Sequence, residues 1–387
     1  MQIQLLPDWE TLPILAVDKS IPPEPLQGFD NIEDKREAEH YRVYSSRWYI
    51  LFIFAVVGVW QNLVYSTFGP IAESATASLK LTQTDLALLP NWYNIVFVFT
   101  AFPYVYLVEI KGLRMPMTAT MGFCSIGAAV RCLHTGNTDF DKIFLHLGQL
   151  INGFGAAVPF FACTTISAVW FPPGQRNLAT AIGLFASNLG IAIAFFMGPA
   201  FVNAFKGSGT DEEVYRAIYK LFYFEAIVSN ALLFITVFYF PSRPPSPPSF
   251  SASAKRVSYK NGFREFAMNP RAWLIFTVYS LNTIFTAWTQ FLGVVLQGVM
   301  SEAEIGYLGA VMITVPILVA PLVAAALATP RLSQKSRQIS IGFVLAGIIP
   351  IAVFTVFRNI DSLHKYLTPV NNPTFIFELF FFYRFVL

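Results

Sequence analysis

The chain is 387 residues long, with 55% hydrophobic and only 13% charged residues and a mean hydropathy of +0.53. That balance excludes an ordinary water-soluble domain of this size, and a net charge of +3 concentrated on a few loops speaks against a nucleic-acid binder. The sequence reads as an all-α membrane protein, because in lipid a helix satisfies its own backbone N–H and C=O groups where water cannot.

Residues 1–46 form an acidic tail carrying Asp8, Glu10, Asp18, Glu24, Asp30, Glu33, Asp34, Glu37 and Glu39, expected to be cytosolic and disordered. The tail contains no charged-then-apolar signal peptide. Its "ETLPIL" stretch places Glu10 four and five residues before Ile14 and Leu15, which approximates the dileucine signal that sorting adaptors read on endolysosomal proteins.

A span needs about 20 mostly apolar residues. Ten segments qualify or nearly do: 48–70, 86–108, 115–133, 144–171, 179–202, 221–240, 272–295, 305–328, 339–357 and 375–387. The last is only about two-thirds of a span, so the second half reads as incomplete or as ending against the bilayer. Arg42, Arg47, Lys111, Arg114, Arg176, Arg243, Lys255, Arg256, Arg331, Lys335 and Arg337 gather on one side of this alternation. Asp139, Asp141, Asp211, Glu212, Glu213, Glu302 and Glu304 gather on the other. The positive-inside rule therefore puts the N-terminus in the cytosol.

After the sixth span runs "YFPSRPPSPPSFSASAKR", a basic Pro/Ser tether of the extended, semi-rigid kind. Six spans, a tether and a second set of spans is the layout of a carrier whose two bundles rock about a central site. The expected organisation is a tail 1–46, a first six-helix bundle 47–241, a linker 242–270 and a partial second bundle 271–387. "LVEIKGLRMP" after the second span and "ATPRLSQKSRQ" after the eighth are both basic tight turns, as an internal repeat requires.

Catalytic signatures are lacking. His40, His134, His146 and His364 are scattered, there is no HExxH, CxxC or glycine-rich phosphate loop, and Cys124, Cys132 and Cys163 lie in or beside spans. No enzyme, metal or cofactor is expected. The partners expected are a small organic solute, protons, the lipid bilayer and sorting adaptors.

Polar side chains inside spans are costly enough to mark function. Gln61, Tyr65 and Phe68 share one face of the first span; Tyr279, Asn282, Thr286 and Gln290 share one face of the seventh; Asn152 and Asn188 add amides in the fourth and fifth. These residues either line the solute path or bond helix to helix. Glu225, one and a half turns inside the sixth span, either snorkels or titrates as the proton-coupling group.

"GPIAESA", "LVEIKGLR", "GQLINGFGAA", "SAVWFPPGQRNLATAIG" and "NLGIAIAFFMGP" resemble the first half of the major facilitator superfamily, in particular the solute carrier 49 family, and the Pro/Ser tether resembles the junction of one lysosomal branch. The resemblance implies the major-facilitator fold of two six-helix bundles, here with about ten spans present and the second bundle incomplete. It makes Glu109, Gly112 and Arg114 the superfamily's gating loop, with glutamate where aspartate is usual. It puts Gln149 where the superfamily often carries an arginine tied to proton coupling, and it matches Gly198-Pro199 to part of an antiporter pattern. In choline-carrying relatives, aromatics at the levels of Tyr65 and Tyr279 cage a cation, while a glutamine of those relatives falls at Ala156 here. The resemblance implies a lysosomal carrier of a pyridoxine-like solute. The alternatives are a plasma-membrane choline, ethanolamine or heme carrier and a transport-inactive scaffold or receptor.

Overall fold

The computed structural model describes residues 41–205, 207, 209–253, 259–274, 277, 288–296 and 300–327. The sorting motif, Tyr279, Asn282, Thr286 and the ninth and tenth expected spans lie outside them. The described helices are α1 (Ser46–Tyr65), α2 (Ala72–Leu79), α3 (Gln83–Lys111), α4 (Arg114–Arg131), α5 (Thr138–Gly153), α6 (Val158–Trp170), α7 (Arg176–Phe205), α8 (Asp211–Tyr239), α9 (Phe250–Ser253), α10 (Tyr259–Met268), α11 (Leu292–Val295) and α12 (Glu302–Leu327).

Among the described residues, five segments are long and apolar enough to cross a bilayer: α1, α3 through Val108, α5 with α6, α7 with the turn before it, and α8. Helices α4 and α12 occupy the third and eighth expected spans. Large apolar side chains point outward along these helices, Phe99 at 74% exposure and Ile227 at 68%, an arrangement that lipid tolerates and water does not.

Three helices start with the same local chemistry. Thr82 with Asp85, Thr210 with Glu213 and Ser301 with Glu304 each form a capping box, the carboxylate accepting from the first residue's backbone N–H and the hydroxyl accepting from the fourth residue's. These boxes open α3, α8 and α12, the helices that carry the second, sixth and eighth expected spans, although α8 starts at Asp211, ten residues before the expected 221. Helix α5 is capped by Asn137, whose side chain accepts from the Asp139 N–H at 3.0 Å.

Two sequence expectations change. The first span ends at Tyr65, five residues before the expected boundary at 70, because Gly69-Pro70 cannot continue a helix. The fourth, expected as one span over 144–171, is two helices joined by a tightened turn at 154–157.

The described residues form two compact units. One holds α1, Leu88–Gly190 and Tyr219–Phe276; the other holds Ser66–Ala87, Ile191–Ile218 and the described residues after Thr277. In the first unit, α4 and α5 approach so closely that a Cβ on Gly127 would run into the Gly148 carbonyl, and one on Gly148 would meet the Arg131 stem. In the second, the Phe195 ring fills the space over Gly309 and packs with Leu292, Leu308 and Met312.

The start of the Pro/Ser tether is also part of the first unit. Pro247 O accepts the Arg42 N–H at 3.1 Å, the buried Ser249 hydroxyl accepts from the Arg176 guanidinium at 2.9 Å, and Tyr41 and Ser253 join hydroxyls at 3.5 Å. Its two short helices, α9 and α10, were not expected in a proline-rich linker.

Candidate solute site

The break between α5 and α6 follows from its residues. Gly153 and Gly155 lower helix propensity, and Pro159 has no N–H to offer the Gly155 carbonyl. The backbone instead closes three successive short turns: Phe154 N–H to Ile151 O, Gly155 N–H to Asn152 O and Ala156 N–H to Gly153 O, at 3.0–3.1 Å. Each spans three residues instead of four, which tightens the helix and leaves carbonyls unclaimed.

Side chains from three other helices bond to this stretch. Tyr93 of α3 donates its hydroxyl to Ala156 O at 3.1 Å and Thr120 of α4 reaches Gly155 O at 3.4 Å, while Gln61 of α1 adds a second donor to Asn152 O at 3.0 Å. Irregular backbone survives at membrane depth only where the protein satisfies it in this way. Gln149, where an arginine is common in the superfamily, donates to Tyr65 O at 3.4 Å and so fastens the end of α1 to α5.

Gln61 also donates to the Asn152 side-chain oxygen at 2.9 Å. That geometry fixes both amides: the Asn152 carbonyl demands the Gln61 nitrogen, and the Gln61 nitrogen demands the Asn152 oxygen. Gln61 Oε1 and Asn152 Nδ2 remain, both buried and, among the described residues, both without a partner. One acceptor and one donor are thus left open beside the break. One turn along, Tyr65 lies over Tyr93 with ring centroids 4.2 Å apart and planes tilted by 32°, and Ala156 completes their cluster.

The structure therefore brings together Gln61, Tyr65 and Asn152 of the expected site residues. Asn188 spends its amide on Leu184 O of its own helix at 3.1 Å. Gln290 lies in the second unit, buried, donating to Ser66 Oγ at 3.0 Å with its Oε1 left over. Tyr93 was missed: it stands in "NWYN", an aromatic between two asparagines inside a span, and only the fold pairs it with Tyr65.

Glu225 neither snorkels nor stands alone. Its carboxylate meets the Arg131 guanidinium at 2.8 Å, both side chains almost wholly inside the protein, with the guanidinium 5.5 Å from the Phe222 ring centre. Arg131 was also missed, although an intramembrane arginine in the third span and an intramembrane glutamate in the sixth are an obvious charge match.

At the expected gating loop, Gly112 has φ of +73°, a left-handed conformation that a Cβ would strain. Its neighbour Arg114 donates to Val237 O at 2.6 Å, and the Arg114 N–H to Ser242 Oγ at 3.3 Å. The guanidinium thus caps the C-terminal end of α8, where a cation meets the negative pole of the helix. The Glu109 side chain lies outside the described residues.

Comparison with known proteins gives this geometry a family. The chain is 32% identical over 277 residues to Solute carrier family 49 member 4 homolog of Xenopus laevis, covering 69% of this chain and 60% of that protein. It is 26% identical to Choline/ethanolamine transporter flvcr2a of Danio rerio over 62% of this chain and 52% of that one. The chain thus spans little more than half the length of these curated relatives. Among solved structures, a bacterial homolog to the human lysosomal transporter Spinster, inward-facing and unoccupied, superposes with a TM-score of 0.59 at 18% identity, covering 88% of this chain and 73% of that one, which shows a common fold. The Major Facilitator Superfamily model matches residues 48–385, and the chain belongs to that superfamily, with members of the solute carrier 49 family among its relatives.

Proposed function

We propose that this protein carries a small organic solute across an endolysosomal membrane by alternating access, and that the solute is a flat, polar ring of the pyridoxine type. One observation carries the reading: a buried acceptor, Gln61 Oε1, and a buried donor, Asn152 Nδ2, stand open beside a break in a membrane helix, one turn from the Tyr65–Tyr93 pair. Discontinuous helices supply polar groups at the midplane of carriers, and an aromatic face holds a flat ring. A hydroxylated heteroaromatic ring offers the complementary donor and acceptor.

Choline has a quaternary ammonium that needs an aromatic cage and a single hydroxyl. Ala156, with its methyl against Tyr65 and Tyr93, stands where choline-carrying relatives have a glutamine, so the polar partner differs here. Sorting adaptors reading Glu10, Ile14 and Leu15 would account for an endolysosomal address. Tyr279 and Asn282 remain proposed contributors from the seventh span. Glu225, paired with Arg131, remains the proposed proton-coupling residue.

The test is uptake of labelled pyridoxine, choline and ethanolamine into lipid vesicles carrying the protein. Saturable pyridoxine uptake that Gln61→Leu weakens supports the reading. Choline uptake without pyridoxine uptake moves the protein to the choline branch, and no uptake of any of the three favours a scaffold.

A further inference from the structure

A cavity of about 760 Å³ opens within the second unit, between the start of α2, the end of α7, the start of α8 and the start of α12. Three carboxylates face it: Glu73 from α2, Asp211 from α8 and Glu302 from α12; among the described residues that line it there is no cation. Glu302 bridges two of these elements. Its Oε1 accepts the Ser74 N–H and its Oε2 accepts the Ser74 hydroxyl, each at 2.6 Å, between residues 228 positions apart. The Ser74 N–H is one of the first-turn donors that a helix leaves without an internal partner.

Resting on the transport reading, we propose that Glu302 and Ser74 are the latch of the face opposite the basic loops, and that a proton on Glu302 holds this latch closed. Separating α2 from α12 widens the cavity and releases the carboxylate into water. Bringing them together desolvates it beside Glu73 with no compensating cation among the described residues of the cavity.

The chemistry of the two states fixes the direction. When latched, burial disfavours the charged form most, and the Glu73 charge adds to it; the two Ser74 donors and the Glu73 N–H offset only part, so the Glu302 carboxyl sits above its ordinary 4.5. When released, it returns toward the ordinary value. The latched form therefore binds the proton more tightly, and falling pH favours closure through the interval between the two values. Protonation does not cost the latch its contacts, since the Ser74 N–H still finds a carbonyl oxygen and the hydroxyl can accept from the carboxyl O–H. Glu304, two residues on, is exposed and is held below 4.5 by the Ser301 N–H and hydroxyl, so it stays charged and takes no part.

The latch is tested without any solute. Ala77, on the cavity wall, is replaced by cysteine in the protein reconstituted in lipid, and its rate of reaction with a maleimide is measured at pH 7.5 and 5.0. The label on Cys132, the half-buried native thiol, is subtracted using the parent. Glu302→Gln in the same background mimics the protonated latch and shares the pH dependence of thiol chemistry, so the ratio of the two rates isolates Glu302. The introduced thiol should react at least about threefold faster with Glu302 intact than in the Glu302→Gln variant at pH 7.5, since each pKa unit between the two states is a tenfold bias, and the ratio should narrow at pH 5.0. Ser74→Ala should keep labelling fast at both pH values. An unchanged ratio across pH, or a Ser74→Ala rate equal to the parent's, overturns the latch. Because no solute enters the measurement, failure to carry pyridoxine bears only on the proposed function.

Discussion

Arg131 and Glu225 permit a quantitative test of how the first unit is held together. Glu225→Gln leaves a guanidinium buried against Phe222 without its counter-charge, and Arg131→Met leaves a carboxylate in the same position. Breaking a buried pair from either side costs about 3–5 kcal/mol. The Coulomb scale agrees, at about 4 kcal/mol for unit charges 4 Å apart at an effective dielectric constant of 20. Replacing both together is different: in the Arg131→Met, Glu225→Met double variant neither charge of this pair is left buried, and the methionine at 131 keeps the stem that crosses Gly148. The double variant should fall within about 1–2 kcal/mol of the parent. The assay is thermal unfolding in a mild detergent or in nanodiscs. One kcal/mol moves the midpoint by about 2–4 °C in a domain of 150–250 residues and less in this longer chain, so the single variants should lose several degrees and the double variant should recover most of them. Additive losses, with the double variant worse than either single one, would refute the view that the two charges exist to neutralise each other.

Five further outcomes are expected. Tyr65→Ala should weaken apparent affinity for the carried solute by about 2- to 30-fold and Tyr65→Phe by less, since an aromatic contact contributes about 0.5–2 kcal/mol; concentration dependence of uptake reads this. Tyr93→Phe keeps the ring and removes only the hydroxyl on Ala156 O, so it should destabilise by about 1–3 kcal/mol in the same unfolding assay. Gly112→Ala should cost about 1–2 kcal/mol through its left-handed backbone, and Arg114→Gln should loosen the end of α8, seen as faster amide exchange over residues 234–239. Ile14→Ala with Leu15→Ala should shift the protein toward the cell surface, scored by surface biotinylation.

Hydropathy made most of the fold legible, because a bilayer imposes length and apolarity on each span separately, and the positions of α3 and α7 follow from that alone, whereas α8 starts ten residues early at the charged stretch Asp211–Glu213. The face shared by Gln61 and Tyr65 was legible too, since helical spacing is local. The break after Asn152 was not, because Phe154, Ala156, Ala157 and Val158 keep the run apolar, although Gly153, Gly155 and Pro159 were there to signal it. Tyr93 against Tyr65 and Arg131 against Glu225 are pairings across helices, which no periodicity reports. The expectation for Glu225 failed to anticipate its partner because depth within one helix says nothing of which charge a neighbouring helix holds at that depth.

The break in the fourth span also bears on biosynthesis. Gln61, Tyr93 and Thr120, the donors that satisfy its carbonyls, all precede it in the chain, and chains are made from the N-terminus onward. When α5 and α6 leave the ribosome, every group needed to receive them has already been synthesised, so this part of the membrane domain can close without waiting. Arg131 has the opposite history: its carboxylate partner lies 94 residues downstream. Until α8 is made, the guanidinium has not yet met its carboxylate, and the end of α4 can snorkel toward the interface meanwhile.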